Sequence, residues 1–287
     1  MKFSATTDPA IPIFRSDQAH MTVQPCGRHL TVSGVRLHYH EFPGDGLPLV
    51  LLPGITSPAI MWDFVSRRLA DFCHVFTLDI RGRGLSSSGD DIEYRLADYA
   101  ADAQGVIEQL GLENPVVAGH SMGARIAIKL AADAPSLVGP LILVDPPVSG
   151  PGRRDYPIPL QWYLDAMHAA SHGQETDASS PLLKNWTSEQ IALRDQWLPT
   201  CTVKAVTQTH RSFHEEDVHV LMPAITSPTL LIYAETGGTI SDEDAAEVTR
   251  LIPECRSIRI DGVGHMIPWD DLEAFVSTIK NFLREAG

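Results

Sequence analysis

Hydrophobic positions along the chain follow three successive rhythms, and their order predicts an architecture. Residues 29–42 alternate apolar and polar around the turn Ser33-Gly34, with Val35, Leu37 and Tyr39 on one face, which predicts two short paired strands. Continuous apolar runs follow at 47–52, 75–78, 116–118, 141–144 and 229–233. Strands covered on both faces need runs of this kind. Between them the spacing turns helical, at 61–69, at 94–110 where Gly111 stops it, and at 124–132. A helix capped by Ser241, a strand at 257–260 and a closing helix at 270–284 complete the series. Repeated strand–helix alternation predicts an α/β fold, a mostly parallel sheet with helices on both faces.

The rhythm breaks after 147. Residues 148–222 open with Pro151, Pro157 and Pro159 and carry helical spacing at 160–170, 188–198 and 203–213 without a strand pattern. We read them as a helical cap inserted into a core formed by 29–147 and 223–287, with 1–28 a loose leader. Trp162, Trp186 and Trp197 in this stretch are expected to pack the cap onto the core rather than to bind a cofactor.

Composition narrows the classes. Hydrophobic residues make up 44% of the 287, enough for a large core without disulfides. A net charge of −14 argues against nucleic acid or an anionic membrane surface as partner. No apolar run approaches the roughly 18 residues of a membrane span. The cysteines Cys26, Cys73, Cys201 and Cys255 are scattered and suit a reducing compartment, and residues 1–20 lack the apolar core of a secretory signal, so a cytoplasmic protein is expected. Whether it forms a homo-oligomer stays open. His38 and His40 share a strand face but have no evident third ligand, so no metal is expected. Asp79-Ile80-Arg81-Gly82-Arg83-Gly84 lacks the Gly-Lys-Ser/Thr ending of a phosphate loop and reads as a structural turn.

One pentapeptide carries chemistry. Gly119-His120-Ser121-Met122-Gly123 is Gly-x-Ser-x-Gly set between a buried strand and a helix. A serine in such a turn is held in a strained conformation that lifts its hydroxyl clear of the sheet, and the flanking glycines let neighbouring chain pass close by.

With Leu52-Pro53-Gly54 after an early strand, Asp79-Ile80-Arg81-Gly82-Arg83-Gly84-Leu85-Ser86, the serine turn, the helical insertion and a late Gly262-Val263-Gly264-His265, the chain resembles the α/β-hydrolase superfamily over roughly residues 30–287. Three stretches also look like the N-formylmaleamate deformylases of aerobic nicotinate breakdown: residues 53–59, residues 81–89, and Gly264-His265-Met266-Ile267-Pro268-Trp269-Asp270-Asp271. Those enzymes hydrolyse a formyl amide to maleamate and formate.

The resemblance implies a cofactor-free serine hydrolase. Ser121 is then the nucleophile and His265, after the last strand, the base. Superfamily members usually carry the acid just past the strand equivalent to 229–233, but the loop here reads Ala234-Glu235-Thr236-Gly237-Gly238, with glycine at the aligned position. Glu235 sits early, Asp242 and Asp244 suit a helix start, and Asp145 ends the strand after the serine helix. The deformylase resemblance places the acid at Asp145, with Glu235 as the alternative. The oxyanion donors implied are the backbone amides of Ile55 and Met122. A small anionic organic substrate would need a cation, for which Arg153, Arg154 and Arg211 are candidates, with His210 beside them. Arg125, one turn beyond Ser121, is expected to pair with Asp98 or Asp102. Alternatives on the same fold are a carboxylesterase, an enol-lactonase or a carbon–carbon bond hydrolase of aromatic catabolism; a ligand sensor without activity is a third class.

Overall fold

The sheet is built from β1 (Cys26–Val32), β2 (Val35–Phe42), β3 (Leu47–Leu52), β4 (Cys73–Leu78), β5 (Val116–His120), β6 (Leu141–Val144), β7 (Thr229–Ala234) and β8 (Cys255–Ile260). The computed structural model describes residues 24–176, 183 and 185–286; most of the leader expected at 1–28 lies outside them. Spatial order is β1-β2-β4-β3-β5-β6-β7-β8. The pairs β1·β2 and β2·β4 are antiparallel and all later pairs are parallel.

Continuous apolar runs become central strands because both faces are covered. Along β3, Leu49 and Leu51 enter one core while Val50 and Leu52 enter the other. β6 divides in the same way, Leu141 and Leu143 against Ile142 and Val144. On one face lie α1 (Asp63–Leu69) and the closing helix; on the other lie α2 (Leu96–Leu110), α3 (Met122–Asp133) and α7 (Asp242–Leu251). Gly111 ends α2 in the left-handed conformation, at φ 63°. Ser241 caps α7, its Oγ accepting from the Asp244 amide at 3.2 Å. The closing helix is shorter than expected at its start: α8 (Ile267–Asp270) is a separate turn before α9 (Leu272–Ala286).

Between β6 and β7 the described residues contain α4 (Leu160–Ser171), α5 (Ser188–Trp197) and α6 (Val203–Glu215) and no strand. Two buried arginines hold this segment to the sheet. Arg83 donates to the Ile55 carbonyl at 3.0 Å, to Tyr99 Oη at 2.8 Å and to Thr209 Oγ1 on α6 at 2.8 Å. Arg125 does not pair with Asp98 or Asp102, contrary to the sequence expectation. Those carboxylates are taken by Arg95 and Arg81, while Arg125 points the other way and donates to the carbonyls of Pro147, Ser149, Ser212 and Glu216 at 2.6–3.1 Å. Burial with no direct carboxylate contact lowers its pKa to about 10.

The Asp79 turn is structural: its carboxylate accepts from the Ala59 amide (2.6 Å), the Leu85 amide (2.9 Å) and His38 Nδ1 (2.7 Å). His40 instead meets Asp63 at 2.7 Å, so the two strand histidines serve separate partners. No helix among the described residues is long and apolar enough to cross a membrane.

Candidate active site

Ser121 stands between the end of β5 and the start of α3 at φ 54°, ψ −118°. For a residue with a Cβ this is strained, by about 1–3 kcal/mol, and the surroundings enforce it. Its amide donates to the Val144 carbonyl at 2.9 Å. The flanking glycines permit the turn through close approach: a Cβ on Gly119 would lie 2.2 Å from the Gly123 carbonyl oxygen, and one on Gly123 would lie 1.8 Å from that of Leu52. Ser121 Oγ is buried and makes no hydrogen bond among the described residues.

His265 follows β8 and lines the same cavity as Ser121. Its Nδ1 lies 2.5 Å from Asp145 Oδ2. Asp145 ends β6, is fully buried and has φ 44°, a second strained backbone in the site. Its Oδ2 also accepts from the Thr239 amide at 2.7 Å, and its Oδ1 from the Ala234 amide at 3.4 Å. Glu235, the alternative, turns outward and accepts from the Gly262 amide at 2.7 Å. The carboxylate that meets the histidine ring is therefore Asp145.

His120 anchors His265 through its backbone. Its Nε2 donates to the His265 carbonyl at 2.9 Å, while its Nδ1 is unpartnered. Full burial, reinforced by the nearby His265, lowers its pKa to about 3, so it is neutral and holds its proton on Nε2. Trp62 packs on this ring and on Trp269, at centroid distances of 5.2 and 4.9 Å.

Met122 opens α3, so its amide is one of the first-turn donors that no helix carbonyl takes. Gly54 and Ile55 line the cavity beside Ser121, and a Cβ on Gly54 would come 3.6 Å from that of Ser121. Both expected donor segments thus converge on the serine.

The cavity holds about 290 Å³, and the segment between β6 and β7 forms much of its wall, through Trp162 and Tyr163 on α4, Arg194 on α5, and Ile158, Leu183 and Trp186 outside those helices. Trp162 and Trp186, expected as packing residues, are wall residues; Trp186 stacks on Trp269 at 5.1 Å. The hydroxyls of Tyr156 and Tyr163 are 2.7 Å apart. Burial raises the Tyr156 pKa well above its usual value, Tyr163 and the Asp145 charge add to this, and the Ser121 hydroxyl opposes it.

The expected substrate cations are elsewhere. Arg153 binds Glu247 at 2.9 Å and Arg154 binds Asp244 at 2.5 Å, both on α7, and Arg211 is exposed on α6; none lines the cavity. His210 is fastened by Nε2 to the Ile158 carbonyl at 2.9 Å. Arg194, absent from the sequence expectations, is the arginine among the lining residues. In sequence it looks like an ordinary helix-surface residue of a polar segment, and only the tertiary fold turns it inward.

The model of the alpha/beta hydrolase family matches residues 49–278. An N-formylmaleamate deformylase of Pseudomonas putida is 45% identical over 263 residues, covering 92% of this chain and 98% of the relative. A 2-(acetamidomethylene)succinate hydrolase of Mesorhizobium japonicum is 26% identical, covering 89% and 94%. The crystal structure of an N-formylmaleamic acid deformylase from Pseudomonas putida superposes with a TM-score of 0.84 at 43% identity, over 88% of this chain and all of that one. A serine on a strained strand–helix turn, a histidine after the last strand and a family match across most of the sheet agree: the chain belongs to the alpha/beta hydrolase family.

Proposed function

We propose that this protein hydrolyses N-formylmaleamate to maleamate and formate, using Ser121, His265 and Asp145. The observation that carries the reading is the 2.5 Å contact of buried Asp145 with His265, which lines one cavity with a strained Ser121. Deformylase action in a relative 45% identical over nearly its whole length supports the substrate.

His265 Nε2 takes the proton of Ser121 as Oγ attacks the formyl carbon. Asp145 fixes the ring with its proton on Nδ1 and stabilises the imidazolium that forms. The oxyanion is received by the Ile55 and Met122 amides, each donor contributing about 3 kcal/mol to the transition state. His265 then protonates the departing nitrogen. That nitrogen is acylated on its other side as well, so it leaves more readily than an amine would. Maleamate departs and Ser121 is left as a formate ester. Water, deprotonated by His265, attacks this ester and releases formate. Residues 148–222 act as the cap that keeps bulk water from the cavity.

The test is to incubate purified protein with N-formylmaleamate and quantify formate and maleamate. One formate per maleamate is expected, with none from Ser121→Ala. Unchanged N-formylmaleamate alongside turnover of simple esters would refute the substrate and leave the serine hydrolase.

A further inference from the structure

Arg194 combines burial, position and, among the described residues, few hydrogen-bond partners. It lies on α5 with its side chain 6% exposed and lines the cavity that holds Ser121 and His265. Among the described residues its guanidinium has one hydrogen-bond acceptor, Thr176 Oγ1, at 3.0 Å from Nη1. Its chain neighbour Asp195 stays 3.6 Å away, beyond hydrogen-bonding distance, because that carboxylate is engaged by the amide and hydroxyl of Thr176. Trp162 packs against the guanidinium, with Cζ 5.8 Å from the ring centroid. Burial is the largest influence on the Arg194 pKa and lowers it, opposed by Asp195, yet an arginine keeps its charge. Among the described residues a buried guanidinium with five donors thus has one hydrogen-bond acceptor and one carboxylate at 3.6 Å, which leaves donors for a further anion.

We propose that Arg194 binds the carboxylate of the substrate and makes the enzyme selective for acyl compounds that carry an acid group. The inference rests on the serine hydrolase reading of the site. Charge in the cavity is polarised. Asp270, the other formally charged lining residue apart from the histidines, uses Oδ2 to accept from the Gly264 amide at 2.6 Å and Oδ1 to accept from Asn185 at 2.9 Å. An anionic group is repelled from that side and drawn to Arg194, which orients the scissile carbonyl toward Ser121. Tyr163, its hydroxyl 2.7 Å from that of Tyr156, adds a neutral polar group to the lining, while Met61, Leu183 and Trp186 supply apolar wall. The guanidinium fork suits a planar carboxylate, and a charged hydrogen bond in a water-poor cavity discriminates strongly against a neutral ester of the same shape.

The experiment compares 4-nitrophenyl hydrogen succinate with its methyl ester in the wild type, Arg194→Gln and Arg194→Lys. The wild type should prefer the free acid. Arg194→Gln should lower kcat/KM on the acid by about 100-fold, mainly through KM, and change the methyl ester less than about threefold; Arg194→Lys should restore part of the preference. Equal loss on both esters, or no loss on either, overturns the proposal. Calorimetric titration with maleamate gives a readout independent of turnover: binding to the wild type and loss of binding in Arg194→Gln is expected, and equal affinity overturns it. If the wild type releases no formate from N-formylmaleamate while acid selectivity still depends on Arg194, the deformylase reading fails and this proposal stands.

Discussion

Asp145 and His120 each place an ionisable group where one protonation state is required. The fully buried Asp145 carboxylate meets His265 Nδ1 and the Thr239 amide, so an amide side chain there would present the wrong tautomer to the ring. Asp145→Asn is expected to lower kcat by about 10⁴-fold, while Glu235→Gln, altering only a contact to the Gly262 amide, should stay within about twofold of wild type; steady-state kinetics on any turned-over ester checks both. His120 sets a pH limit on stability. Its folded pKa of about 3 lies below the unfolded value near 6.5, so between them the unfolded chain binds the extra proton and stability falls as pH drops. The contribution is about 1.4 kcal/mol per pH unit. Urea titrations from pH 6.5 to 4.5 should show a slope smaller by about one proton in His120→Gln; an unchanged slope would contradict a neutral His120. At this scale the sequence was legible where a residue is defined by its neighbours in the chain. Ser121 is set by its flanking glycines and His265 by the Gly-x-Gly before it. It was illegible where partners come from distant segments. Arg153 and Arg154 read as free cations because their acids, Glu247 and Asp244, lie about ninety residues later. Arg194 drew no notice in the sequence because nothing local shows that α5 turns it into the cavity lined by Ser121.

Secondary-structure elements were easier to foresee than their fastenings. A strand covered on both faces must be apolar at every position, so β3, β5, β6 and β7 stand out as runs, and caps such as Ser241 mark where helices begin. The join between α3 and the inserted helices has no such signature. Arg125 reaches from α3 to two carbonyls just after β6 and two near the end of α6, and its role follows only once those ends meet. Arg125→Met would leave three buried carbonyls and one half-buried carbonyl without this donor. A loss of about 3 kcal/mol or more is expected, read as a lower urea midpoint. Because the same residue ties down α6, whose Phe213 packs against Tyr156, the variant should also lose activity before it unfolds globally.

The molecule as a whole carries a charge of −14 and is proposed to accept an anion. The long-range field opposes the approach of such a substrate, and the local attraction of Arg194 acts only inside the cavity. Salt screens the first more than the second. Raising ionic strength from about 10 to about 150 mM should therefore increase kcat/KM for N-formylmaleamate roughly twofold, with no change for a neutral ester; a decrease would show that attraction governs the approach. The position of Asp145 has another consequence at this scale. Asp145 directly follows β6, the neighbour of the strand that presents Ser121, and the Ser121 amide is bonded to β6 itself. The proposed nucleophile and acid thus share one frame of paired backbone. The tip of the loop after β7, Thr236-Gly237, lines the cavity; Thr236 binds the Val263 carbonyl, two residues before His265, through its amide and its hydroxyl, and Gly237 has φ 62°. In evolutionary terms the side chain at 237 is held by backbone conformation and that at 236 by the histidine loop, so drift that reshapes the substrates admitted falls more easily on the wall supplied by the segment between β6 and β7.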